Sequence, residues 1–274
     1  MFQNRNNESM QSSQEFLIKG KTQTRVGSVF AENITRSLVR LTEKQNSTSL
    51  FSRKDFSQSS DAIVDQLGAD FAFVTNKLLL KTDIIGEIES ILNMQEVQNV
   101  WEEGKPKIYK KYGEIPDFNS ACETFEENLK SEETLLESIR DKGDFGILFP
   151  KVSYLGYRSL PCKINRERII RKSVFLKDLA IRETIAVKQT SKFIEVRVLG
   201  KLDEDNFDYS GFLNLLRQMF DGDIQKDDIS FQNEEIYTYE KNSVERVDGK
   251  RHQLFTVDGW YFRDEKQELQ IKSE

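Results

Sequence analysis

Apolar and polar positions along this chain change period several times, and each change marks an element. Between Thr22 and Leu41, β-branched and apolar residues recur with polar ones between them, most clearly in ITRSLVRL, which predicts two strands or one long irregular strand. SLFSRKDF at 49–56 adds another strand. Ile63, Val64 and Leu67 then switch to helical spacing, while ADFAFVTNKLLLKTD at 69–83 returns to strand-forming residues, followed by a two-strand ribbon turning near Asp83 to Gly86.

Helical period dominates the next stretch. Asn93 is a candidate cap with Glu96 at the reciprocal position, and Met94, Val97, Val100 and Trp101 form an apolar face that Gly104 and Pro106 should end. A longer helix is predicted over 117–142, with Phe118, Cys122, Phe125, Leu129, Leu136 and Ile139 on one face and acids and lysines on the other. Glycines at 143, 146 and 156 and prolines at 150 and 161 then interrupt regular structure in an aromatic stretch.

The second half reads as strands around one helix. IRETIAVKQTSKFIEVRVLGKL forms two strands about a turn at Lys188 to Lys192, SGFLNLLRQMF forms a helix capped near Ser210, and ISF, EIYTYE, HQLFTV and WYF supply the final strands. The expected fold is α+β, with antiparallel or mixed sheets and flanking helices, open to division into two similar lobes sharing a core. The expected organisation is a flexible arm over 1–20, a first lobe over 21–142, an aromatic connector over 143–162 and a second lobe over 163–274. The Asn-, Gln- and Ser-rich first residues suggest the arm.

Composition narrows the function classes. The chain has 274 residues, 37% of them hydrophobic and 31% charged, with 19 phenylalanines and eight tyrosines to fill a core. A net charge of −6 gives no global attraction for nucleic acid or an anionic bilayer. No apolar stretch is long enough for a secretory leader or a membrane span, so a cytoplasmic location is expected, with export by a leaderless route left open. Cys122 and Cys162, 40 residues apart, read as free thiols.

Motif chemistry is sparse. One histidine and two distant cysteines make no zinc centre, and neither DEDNFD at 203–208 nor DGDIQKDD at 221–228 follows a calcium-loop pattern, although calcium binding by such acidic loops stays open. Phosphate-loop, dinucleotide and serine-elbow patterns are lacking, so no catalytic residue and no cofactor is assigned. NRERIIRK at 165–172 is the most basic run, and Arg166, Arg168, Arg171 and Lys172 are candidate contacts to an anionic partner unless they form the wet side of a short helix. Asp248-Gly249 and Asp258-Gly259 predict two tight turns around a strand holding His252, the only histidine. Alternation sends His252, Leu254 and Thr256 to one face and Gln253, Phe255 and Val257 to the other.

These readings favour a noncatalytic binding or structural interaction protein, a component of a bacterial assembly with a protein partner or self-association. Its candidate interface or ligand surface comprises Phe145, Phe149, Tyr154, Tyr157, His252, Trp260 and Tyr261. Two alternatives remain: a carrier whose curved sheets enclose a lipid or other apolar ligand, with Phe145, Phe149, Tyr154 and Trp260 at its mouth, and a sugar-processing enzyme built on paired carboxylates.

Overall fold

A computed structural model describes residues 12–44, 47–152, 162–241 and 245–272. Eleven strands form one antiparallel sheet: β1 (Ser13–Val26), β2 (Val29–Lys44), β3 (Thr48–Gln58), β4 (Lys77–Thr82), β5 (Ile88–Ile91), β6 (Cys162–Val174), β7 (Lys177–Gln189), β8 (Phe193–Leu202), β9 (Ile229–Glu240), β10 (Arg246–Val257) and β11 (Tyr261–Ile271). Their order is β5-β4-β3-β2-β1-β11-β10-β9-β8-β7-β6, so every strand pairs with its chain neighbours except β5 and β6, which form the two edges, and β1 joins β11 at the centre. Hairpin connections need no crossover, which is why alternation and turn signals serve the sequence reader well here. The sheet is continuous between the segments expected to form two lobes.

Six α-helices accompany the sheet among the described residues: α1 (Ile63–Phe71), α2 (Met94–Tyr112), α3 (Phe118–Leu129), α4 (Glu132–Ile139), α5 (Gly143–Leu148) and α6 (Tyr209–Phe220). The α+β expectation holds. Several local expectations do not. Ser13–Gly20, expected within the flexible arm, belong to β1 and pair with β2 and β11, while residues 1–11 lie outside the described residues. Residues 70–75 are helical rather than extended, carried by α1 and the 3-10 turn at Ala72–Thr75. Pro106 does not end α2: Val97, Trp101, Ile108 and Tyr112 bury one continuous stripe across it, while Pro106 itself is exposed. Packing of that stripe outweighs the lost backbone bond.

The helix expected over 117–142 is two helices, α3 and α4, with α5 beginning just beyond it at Gly143. Ser131 adopts an extended conformation and its hydroxyl accepts from the Thr134 N–H at 3.2 Å, so a new helix begins there. Asp248-Gly249 is likewise no turn but part of β10, next to a register irregularity. Gly249 is needed because a Cβ there would stand 2.9 Å from the Tyr237 ring. Asp258-Gly259 does turn the chain between β10 and β11, with Gly259 at φ +73°.

Two apolar clusters occupy the same face of the sheet. The larger packs α2 to α5 against β1 to β5 and one end of β7 to β9, through residues such as Phe51, Leu78, Trp101, Ile185, Val196 and Tyr237. The smaller packs α6 against the other end of β7 to β11, through Leu179, Phe212, Leu216, Phe231, Phe255 and Val257. α5 is buried from Asp144 to Leu148 and pinned by three strands: Arg53 of β3 binds Asp144 at 2.8 Å, Arg246 of β10 donates to the Ile147 carbonyl at 2.9 Å, and Gln267 of β11 donates to the Gly143 carbonyl at 3.1 Å.

Candidate functional site

Alternation explains the region between the two clusters. On β7 the inward residues run Leu179, Ile181, Glu183, Ile185, Val187; on β9 they run Ile229, Phe231, Asn233, Glu235, Tyr237, Tyr239. In both strands the middle of an apolar face is polar. Register aligns these interruptions: Arg166 pairs with Glu183, Glu183 with Gly200, Gly200 with Asn233, Asn233 with Gln253, and Gln253 with Glu265. The result is a charged belt that crosses six strands. Gly200 leaves room in it, since a Cβ there would press on Asn233 and Glu183 at 3.2 and 3.3 Å.

Within the belt the charges are mostly paired. Arg168 donates to Asp141 at 2.5 Å and to Glu183 at 3.1 Å, Arg166 donates to Glu183 at 2.6 Å, and the Glu183 and Glu235 side chains are almost wholly excluded from solvent. Burial disfavours the charged form of Arg168, but Asp141, Glu183 and Glu235 around it raise its pKa well above the ordinary value. Burial would likewise raise the Asp141 carboxyl, yet Arg168 and Lys151 hold it at about 2. Arg251 is less well served: it approaches Glu235 at 3.7 Å, and its three guanidinium nitrogens are buried without a hydrogen bond. Gly146 of α5 accommodates that side chain, because a Cβ there would lie 2.1 Å from Arg251 Nη1 and 2.7 Å from the Asp141 carbonyl oxygen.

Two cavities open from the belt. The larger, about 890 Å³, lies where α4 touches both edge strands, β5 and β6. Glu89, Glu133, Glu137 and Glu167 stand along it with Arg140, Arg166 and Arg168, and Arg140 and Lys151 both reach Glu87 at 3.1 Å. The smaller, about 280 Å³, lies between the α4–α5 turn and the β6–β7 hairpin. Ile170, Val174, Leu176, Phe231 and Phe255 give it apolar walls, and Lys142, Lys172 and Arg263 border it with Asp141 and Glu265.

The cations of this smaller cavity are weakly held. The Lys142 ammonium makes no hydrogen bond or ion pair with a described residue, and burial together with the charges of Arg263 and Lys172 lowers its pKa against the weaker opposite pull of Asp141 and Glu265. Lys172 Nζ reaches the neutral Asn128 Oδ1 at 3.2 Å, and its backbone has φ +45°, steadied by its N–H donating to Asp178 at 2.8 Å. Arg263 donates to Glu265 at 3.0 Å.

The residues expected from sequence are distributed as follows. Arg166, Arg168, Arg171 and Lys172 lie on β6, not on a helix, because the run alternates rather than following a 3.6-residue period. Arg166 and Arg168 turn inward, Arg171 pairs with Asp178 at 2.6 Å on the exposed side, and Lys172 borders the smaller cavity. Phe145 and Phe149 are buried in the larger apolar cluster. Tyr261 is buried in the smaller one, while half-buried Trp260 packs beside Phe220, their ring centroids 6.0 Å apart. His252 occupies the opposite face of β10 from Phe255 and Val257, as alternation indicates, and its Nε2 lies 2.7 Å from Asp264 Oδ1. Tyr154 and Tyr157 lie outside the described residues.

Sequence reasoning missed Asp141, Lys142, Glu183, Glu235, Arg251 and Arg263. Their signal was present in part: a charged residue at the centre of an otherwise apolar period-two face is costly unless partnered. The acidic loop 203–208 folds on itself, with Asp203 accepting from Asn206 Nδ2 at 2.9 Å and from the Asp205 N–H at 3.2 Å. Among the described residues, no group of three or more His, Cys, Asp or Glu is arranged to hold a metal. None of the described helices is long and apolar enough to cross a membrane.

No family model matches the chain, and no curated protein matches it. Among solved structures, one described as lipid-protein interactions in lipovitellin superposes with a TM-score of 0.54 over 95% of this chain, at 7% sequence identity. The match covers 25% of the lipovitellin chain, so this chain spans about a quarter of that protein's length. At this identity the likeness is one of fold.

Proposed function

We propose that this chain is a noncatalytic binding protein that carries a small apolar ligand against the inner face of its sheet. The observation that carries the reading is the cavity of about 280 Å³ walled by Ile170, Val174, Leu176, Phe231 and Phe255. A concave recess with an apolar wall on one side and a polar, charged border of similar extent on the other suits a small molecule that has both an apolar and a polar part. At roughly 30 Å³ per water-sized group it accommodates on the order of nine such groups, the size of a short alkyl chain with its head. The fold likeness to lipovitellin, a protein whose structure is described through its interactions with lipid, supports the same reading.

Three of the seven residues expected to form an interface or ligand surface lie in the interior. Phe145, Phe149 and Tyr261 are core residues, so they contribute to packing. Catalysis by paired carboxylates has less support, because a general acid requires a raised carboxyl pKa, whereas Asp141 is held low by Arg168 and Lys151.

Titration calorimetry with octan-1-ol tests the carrier reading. Leu176 is an exposed wall residue, so Leu176→Trp should fill the cavity without disturbing the core. Binding at least fivefold weaker in the variant is expected. Equal affinity in the two proteins, or no binding by either, would sink the proposal.

A further inference from the structure

We infer that the ligand of the smaller cavity is an anionic amphiphile, with a carboxylate or phosphate head against Lys142, Lys172 and Arg263 and an alkyl chain against Phe231, Phe255 and Val174. This inference rests on the carrier reading above and names the chemistry of the same site.

Three cations and two acids, Asp141 and Glu265, face the cavity. The acids are already occupied. Asp141 is bound by Arg168 at 2.5 Å and lies 3.5 Å from Lys151, both within the belt, while Glu265 accepts from Arg263 at 3.0 Å. Lys142 is therefore left with no partner among the described residues, and Lys172 Nζ with only the neutral Asn128 amide. Two ammonium groups beside an apolar recess complement one negative charge attached to a chain. In a protein whose net charge is −6, a local excess of positive charge is the more distinctive.

The electrostatics agree with the geometry. Burial and the neighbouring Arg263 and Lys172 charges push the Lys142 pKa below its ordinary value, only partly offset by Asp141 and Glu265. A bound anion reverses the balance by supplying the missing opposite charge. Binding should accordingly take up a proton wherever Lys142 is partly neutral beforehand, and affinity should fall as pH rises through its lowered pKa.

Octanoate, octyl phosphate and octan-1-ol provide the test, because they share a chain and differ in the head. Titration of the full chain and of Lys142→Gln is expected to give at least tenfold tighter binding of one or both anions than of the alcohol, with that advantage lost in the variant while alcohol binding persists. Preference between the two anions distinguishes a carboxylate from a phosphate ligand. Anions and alcohol binding equally would overturn the headgroup inference but leave the carrier standing. Anion preference that survives Lys142→Gln would overturn the assignment to Lys142. No binding of any probe would remove both readings, and persistence of alcohol binding shows that the variant is folded.

Discussion

The two cavities share Asp141 but handle positive charge differently. Around the larger one, Arg166, Arg168, Arg140 and Lys151 each engage at least one carboxylate of the chain, at 2.5 to 3.1 Å. Around the smaller one, Arg263 engages Glu265 at 3.0 Å, but among the described residues the Lys142 ammonium engages no carboxylate and the Lys172 ammonium meets an amide. Paired buried cations are committed to the architecture, since removing a partner strands an opposite charge. A half-buried, unpaired ammonium next to an apolar wall is free to meet a ligand.

The contrast is broken most severely at Arg168. Arg168→Ala removes the closest partner of buried Asp141 and one of the two arginines on buried Glu183, and is expected to cost about 3 to 5 kcal/mol in urea denaturation. Lys142→Gln loses no side-chain pair with a described residue and should stay within about 0.5 kcal/mol of the parent. If both variants unfold at the same urea concentration as the parent, the division between committed and available cations is mistaken.

A second test uses acid. Asp141 titrates at about 2 in the folded protein against an ordinary value of 3.8, so its contribution is complete above the ordinary value and is lost as pH falls toward 2. That difference corresponds to about 2 kcal/mol. Asp141→Asn should flatten the stability profile between about pH 4 and 2 by that amount, measured by chemical denaturation across the range. An unchanged profile would mean that Asp141 is not held by Arg168 and Lys151.

The smallest effect is expected on the outer face of β10. His252 and Asp264 lie 2.7 Å apart, but the His252 side chain is 41% exposed, so His252→Ala should change stability by less than about 1 kcal/mol. It should also leave octan-1-ol affinity unchanged, because His252 lies on the opposite sheet face from the cavity. A tenfold loss of binding would place the site elsewhere.

Much of the fold was legible because its signals are local. β7 and β8 alternate cleanly, their turn is polar, and the apolar spacing of α6 leaves little choice of face. Errors arose where a short segment satisfies two periods. Residues 70–75 contain β-prone Phe, Val and Thr, yet α1 and the turn after it continue helically, carrying Phe71 against Trp101 and Phe125 at centroid separations of 5.7 and 4.4 Å. NRERIIRK was ambiguous for the same reason: with charges on both sides of Ile169 and Ile170, composition does not separate a wet helix from a strand. Ser131 followed by two glutamates was a readable helix start, concealed inside an apolar stripe that continues past it.

The site was less legible than the fold, because it depends on register. By itself the sequence determined the α+β class, most strand positions and the opposite directions of His252 and Phe255, since period and turn chemistry act over a few residues. Only the tertiary structure decided that Arg166, Glu183, Asn233 and Gln253, separated by up to 87 positions, stand in one row, and that Asp141 arrives from a helical turn to meet Arg168. It also decided that Lys142 borders an apolar recess without a partner. Such pairings are set by which strand lies beside which and by how much charge the intervening neighbours leave uncompensated, and neither quantity resides in any one segment of the chain.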